Sequence, residues 1–286
     1  MTTGNAMDVA STPASSAGRW RGAGAPGAML AALLLLAAVG PSFSPYEADG
    51  IDLAPRRGAP SLAHPFGTDE LGRDVLTRVL HGARVSLAIG LLAAAVSALA
   101  GTAVGAASGY AGGWTDDLLM RVTDGLLALP RLPLLMTASI VIGPSVPSLV
   151  LLVGLAGWME LARLVRAEVR SLRARDFVVA ARAAGAAGRR VVAVHLLPSV
   201  LPSIAVATTI AVGRAILLES AMSFFGVGVQ PPRPSWGNML YQAQASMATE
   251  PWLALFPGLA ILATTLAVNR LGEALGHTTG RTGAGA

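Results

Sequence analysis

The feature that most constrains this chain of 286 residues is a series of apolar runs, each long enough to cross a lipid bilayer. A spanning helix needs about 20 mostly apolar residues, because each adds 1.5 Å toward roughly 30 Å of hydrocarbon. Residues 22–46, 85–115 and 251–269 carry no charge at all, and the centre of the first is Ala28-Met-Leu-Ala-Ala-Leu-Leu-Leu-Leu-Ala-Ala-Val39. Residues 117–142, 146–161 and 201–226 read as three further spans that tolerate a few charges. The expected fold is therefore an all-α integral membrane protein with about six transmembrane helices.

Composition agrees and removes whole classes of chemistry. Apolar residues make up 53% and charged residues 13%, with a mean hydropathy of +0.59. All 21 basic residues are arginine, so the chain has no lysine for a Walker A phosphate loop, a Schiff base or a pyridoxal-phosphate site. It has no cysteine either, which excludes disulfides, zinc-thiolate and iron–sulfur centres and a thiol nucleophile.

Where the arginines sit sets the expected topology. Arg163, Arg166, Arg170, Arg173, Arg175, Arg182, Arg189 and Arg190 fall between the fourth and fifth spans, with only Glu168 and Asp176 against them. That segment carries +6 of the chain's net +5, and the remainder is −1. By the positive-inside rule it is cytoplasmic, and an even number of spans puts both termini on the same side. The excess thus marks a membrane face and gives no support to a nucleic-acid partner. Residues 41–84, 143–146 and 227–250 become external loops. A cleavable signal peptide is the alternative for the first span, but no Ala-x-Ala site follows its core. The Gly-, Ala-, Ser- and Thr-rich ends, 1–18 and 276–286, are expected to be disordered.

Within the basic segment, Asp176 suits a helix N-cap, residues 177–184 make about two turns, and Gly185 can close them in the left-handed conformation. A second short helix is expected to end at Pro198. Alanines at 180, 181, 183 and 184 keep the first helix thin, so that it fits a partner's groove. The alternative is a solvated basic loop.

This segment resembles the EAA loop of ABC-importer permeases. Ala180, Ala181, Gly185, Leu197 and Pro198 match at the family spacing, Asp176-Phe177 precede them, His195 occupies a family-typical place, and Val179 stands where the family has Glu. Five further stretches are similar to the dipeptide/oligopeptide/nickel branch. They are His64-Pro-Phe-Gly-Thr-Asp-Glu-Leu-Gly-Arg-Asp74, Gly82-Ala-Arg-Val-Ser-Leu87, Gly112-Gly-Trp-Thr-Asp116, Ser223-Phe-Phe-Gly-Val-Gly228 and Pro234-Ser-Trp-Gly237. The resemblance implies the second (C-type) permease subunit of a peptide importer in the bacterial plasma (inner) membrane. It would be paired with a homologous permease, two cytoplasmic ATPase subunits that bind ATP and Mg, and an extracytoplasmic solute-binding protein. Asp176, Phe177, Val179, Ala180, Ala181, Arg182, Gly185, His195, Leu197 and Pro198 would form the ATPase-coupling loop. The chain would divide into a tail (1–21), a first span and external loop with an amphipathic helix (22–84), a permease core (85–273) and a second tail (274–286). Import of nickel or another small solute is the alternative within this architecture.

Charges at membrane depth are functional candidates by default. Arg131, between Pro130 and Pro133, is placed to satisfy carbonyls that the prolines free, and with Arg214 and Glu219 is a candidate for the solute route. Asp117, Arg121 and Asp124 share a helical face and can pair with one another. Residues 71–80 carry an apolar stripe suited to a helix on the outer leaflet. Trp236 suits an interface anchor or a contact for the binding protein. His64 and His81 lack neighbours at ligand spacing, so no metal is expected. Neither a secondary transporter with paired inverted segments nor an intramembrane enzyme with a nucleophile–base pair finds its residues here.

Overall fold

The computed structural model describes residues 21–51 and 56–280. Among the described residues five helices are long and apolar enough to cross a membrane, and a bent pair supplies a sixth crossing if its two arms count as one. At the centre lie α2 (Val75–Ala111) and α5 (Val146–Arg173), which pack along most of their length, with α8 (Leu197–Phe224) across both. α10 (Trp252–Gly280) covers α8, and α1 (Arg21–Phe43) lies outermost against α10 and α2. Three short helices cap opposite ends: α6 (Asp176–Ala183) with α7 (Gly188–Arg190) at one, and α9 (Trp236–Ala243) at the other.

Lipid is as apolar as leucine, so burial alone does not drive helices together in a bilayer; close backbone approach and hydrogen bonds do. The α2–α5 contact follows that rule. Gly101, Gly105 and Gly109 recur every four residues on the face of α2 that meets α5, and a Cβ at Gly105 would lie 2.5 Å from the Ala162 carbonyl oxygen and 2.8 Å from Val165 Cβ. Ser97, one turn earlier, donates its hydroxyl to the Gly154 carbonyl at 2.7 Å. Continuing from this seam, Val165, Val169, Val178, Val191, Leu196 and Val200 form a fully buried cluster that anchors the α6 end.

Four sequence expectations change. The span at 117–142 is not one helix: α3 (Gly113–Leu127) and α4 (Arg131–Ile142) meet at 88°. Pro130 causes the break, since its ring disfavours helical backbone at the preceding residue and it has no N–H to donate; it sits extended at φ −67°, ψ 111°. The apolar stripe at 71–80 is not a separate surface helix. From Val75 it forms the first turns of α2, with Val75 and Val79 buried. Asp74 starts that helix, its carboxylate accepting from the Thr77 N–H at 2.8 Å and the Thr77 hydroxyl at 2.7 Å. Pro198 does not end a helix. A π turn over Val191–Leu196 leads straight into α8, and the Leu197 N–H bonds back to the Val192 carbonyl; the wider turn accommodates the proline ring. Finally, residues 274–280, assigned to a tail, continue α10. The expected disorder of residues 1–18 lies outside the described residues, as does that of residues 281–286.

Candidate coupling segment and translocation cavity

α6 is anchored by few side chains and open on most of its surface. Val178 is fully buried, whereas Phe177 is 44% and Val179 55% exposed, with Ala180 and Arg182 exposed beside them and Ala181 half-buried. Asp176 is the first helical residue and not the N-cap, a place taken by Arg175 at φ −77°, ψ 150°. One residue later than the cap its charge still favours the positive end of the helix. Gly185 closes α6 as expected, at φ +86°, and the Ala186 N–H reaches back to the Ala181 carbonyl at 3.1 Å. The Arg182 guanidinium lies 4.9 Å from the centre of the Tyr110 ring on α2, fixing the helix to the bundle from a second direction. His195 and Leu197 are half-buried at the π turn, and Pro198 is exposed. The His195 carbonyl accepts from the Ser199 hydroxyl at 2.8 Å.

The basic segment is not a loop of free arginines. Its first four lie on α5, and three of them face α3. Arg166 forms a bidentate pair with Asp116 at 2.5 and 2.7 Å, Arg170 stands 3.9 Å from the same carboxylate, and Arg163 meets Asp124 at 2.5 Å. Ser108 on α2 also donates to Asp116. Asp124 therefore pairs across helices and not with Arg121 on its own face.

At mid-height a cavity of about 230 Å³ opens between α2, α4, α5 and α8. Its wall is apolar except for Ser97, Arg131, Glu160 and Arg214. Glu160 bridges the two arginines: Oε1 accepts from Arg131 Nη2 at 2.8 Å, and Oε2 pairs with Arg214 Nη1. Two of the three route candidates thus come together, but Arg131 is satisfied by a carboxylate and not by the carbonyls its prolines free. Glu160 was not singled out from the sequence, although an acid inside the apolar run 146–161 is a signal that could have found it.

Glu219 and Trp236 are elsewhere. Glu219 is fully buried between α2, α8 and α9, where its carboxylate accepts from Ser86 at 3.1 Å and Ser223 at 2.8 Å. It does not line this cavity; it ties helices together through its hydroxyl donors. Trp236 is 2% exposed and its indole N–H donates to the Val79 carbonyl at 3.0 Å, so it is neither a lipid anchor nor an external contact. His64 bonds Asp74 at 3.0 Å and thereby braces the start of α2. Among the described residues no group of His, Asp and Glu could hold a metal ion.

The fold and this cavity define a multi-pass, all-α integral membrane protein. Residues 101–280 match the family described as binding-protein-dependent transport system inner membrane component. The chain belongs to that family. It is 39% identical over 244 residues to the glutathione transport system permease protein GsiD of Escherichia coli O6:K15:H31, covering 85% of this chain and 80% of that one. To the dipeptide transport system permease protein DppC of Alkalihalophilus pseudofirmus it is 36% identical over 247 residues, covering 86% and 81%. The resemblance to importer permeases noted in the EAA loop and the five further stretches is borne out at this level.

Proposed function

We propose that this chain is one of two permease subunits of an ATP-driven importer for peptide-like solutes. The observation that carries the coupling role is α6: a thin helix held out beyond α5 and α8, anchored by Val178 and presenting Phe177, Val179 and Ala180 to a partner. Two separate ATPase subunits, which bind ATP and Mg, receive that surface. A chain without lysine has no phosphate loop of its own, so the energy enters through this contact. The arginine bias supports placing the α6 end and both termini in the cytoplasm of a bacterial cell, and the α9 end outside, toward the solute-binding protein. ATP-driven closure of the ATPases draws the α6 helices of the two permeases together and turns the cavity outward; their separation turns it inward. The named relatives move glutathione and dipeptides, which supports a peptide-like solute.

The test is purification in mild detergent from the native membrane, with uptake measured in parallel. The expected result is co-elution with a protein that hydrolyses ATP, and loss of solute uptake in Gly185→Val and Ala181→Leu at unchanged membrane levels. Elution without any ATPase, together with undiminished uptake in both variants, overturns the proposal.

A further inference from the structure

Arg131, Glu160 and Arg214 hold three charges in a cavity whose other walls are almost wholly apolar, and the charges do not cancel. One carboxylate serves two guanidiniums, leaving a formal excess of one positive charge. The fourth polar lining group offers little relief, because the Ser97 hydroxyl is already committed to the Gly154 carbonyl. The cluster is also accessible: the side chains of Arg131, Glu160 and Arg214 are 32%, 45% and 60% exposed. This contrasts with Glu219, which is sealed among hydroxyls.

The three residues differ in how firmly they are held. Arg131 opens α4 directly after the 88° break and is the least exposed, so its contact with Glu160 Oε1 is part of the wall. Arg214 is the most exposed and reaches the cavity from α8, with Glu160 Oε2 as its partner. A second anion can replace Glu160 at Arg214 without dismantling the wall. Guanidinium presents paired donors that match a carboxylate, and beside apolar walls this match offsets the cost of stripping water from the arriving anion.

We propose that Arg214 and Glu160 form a two-headed ionic recognition site for the solute, Arg214 taking its carboxylate and Glu160, released on its Oε2 side, taking its ammonium. Glu160 keeps Arg131 throughout. The site therefore selects a zwitterion with both termini free. It disfavours a bare divalent cation, which meets a net positive cluster whose single carboxylate is already engaged twice. The inference rests on the peptide-importer reading and specifies what the cavity recognises.

The experiment is uptake by the complete transporter with its binding protein in proteoliposomes, using radiolabelled dialanine, its C-terminal amide and nickel ion as probes. For the wild type we expect dialanine to be carried well and nickel not at all. Arg214→Gln lowers dialanine uptake about 10-fold or more, the size expected for one charge-assisted contact. It leaves the slower uptake of the amide unchanged, and Arg214→Lys restores part of the loss, keeping the charge without the paired donors. Glu160→Gln lowers uptake of both peptides, since both keep the ammonium. Dialanine uptake at the wild-type rate in Arg214→Gln and Glu160→Gln overturns the site while leaving the peptide reading intact. So does equal loss of acid and amide in Arg214→Gln without rescue by lysine, which is the mark of a structural role. A wild type that carries neither peptide overturns the peptide reading itself and this inference with it.

Discussion

Substituting Gly105 by alanine tests the packing on which the whole bundle depends. A methyl group there would sit 2.5 Å from the Ala162 carbonyl oxygen, 2.8 Å from Val165 Cβ and 3.1 Å from the Arg166 N. Two of these are backbone atoms of α5, which no rotamer change can move, so α2 and α5 must separate by roughly 1 Å to restore ordinary contact. Separation weakens the neighbouring Gly101 and Gly109 contacts and the Arg166–Asp116 pair just beyond them. Overpacking costs about 1–3 kcal/mol, and a clash against immobile backbone belongs in the upper part of that range, about 2–3 kcal/mol. Alanine's better helix propensity returns up to about 1 kcal/mol, so a net loss of about 1–2 kcal/mol remains. At roughly 2–4 °C per kcal/mol for a chain of this size, the apparent midpoint of thermal unfolding should fall by about 2–8 °C. Gly125→Ala on α3 is the control, because nothing lies within 4 Å of the added carbon. It should be neutral or slightly stabilising. The assay is thermal unfolding of both variants in detergent followed by monodispersity on size exclusion. If Gly105→Ala matches Gly125→Ala, the α2–α5 seam does not set the helix spacing and the argument fails.

Other variants separate structure from function. Trp236→Ala should cost about 3–5 kcal/mol through its cavity, and Trp236→Phe about 1 kcal/mol through the lost indole bond to Val79. Neither value depends on the solute-binding protein, so a Trp236→Phe protein with weakened affinity for that partner but native stability would return Trp236 to the surface. Asp116→Asn should lose about 1.5–3 kcal/mol with its bidentate Arg166 contact, whereas Asp124→Asn, in a pair half-exposed on both sides, should lose under about 1 kcal/mol; equal losses on thermal unfolding would contradict this. Gly185→Ala meets no atom but must adopt φ +86°, at about 1–2 kcal/mol confined to the α6 turn. The expected outcome is an unchanged unfolding midpoint for the bundle with reduced ATP-coupled uptake, and a global fall in the midpoint would refute the local account.

Much of this protein is written in one dimension. Apolar run length determined the spans, because a helix that satisfies its own backbone is the way a short segment crosses hydrocarbon. The spacing from Ala180 to Pro198 marked the candidate coupling segment, and Gly185 marked its turn, since a positive φ there concerns one residue alone. Pro130 also carries its break locally, within a run whose apolar length alone suggests one continuous span. What the sequence left open is which groups meet. Glu160 stands 29 residues from Arg131 and 54 from Arg214, and only the crossing of α4, α5 and α8 makes one carboxylate their common partner. The same holds for Glu219 and Trp236, whose residue types suggested a pore and a surface but whose packing against α2 buried both. It holds too for the arginines of the basic segment, three of which the tertiary structure turns toward α3. Hydropathy and turn chemistry act over a few residues and are legible in order along the chain. A charge takes its meaning from its neighbour in space, and here that neighbour is fixed by how closely small residues let the helices approach.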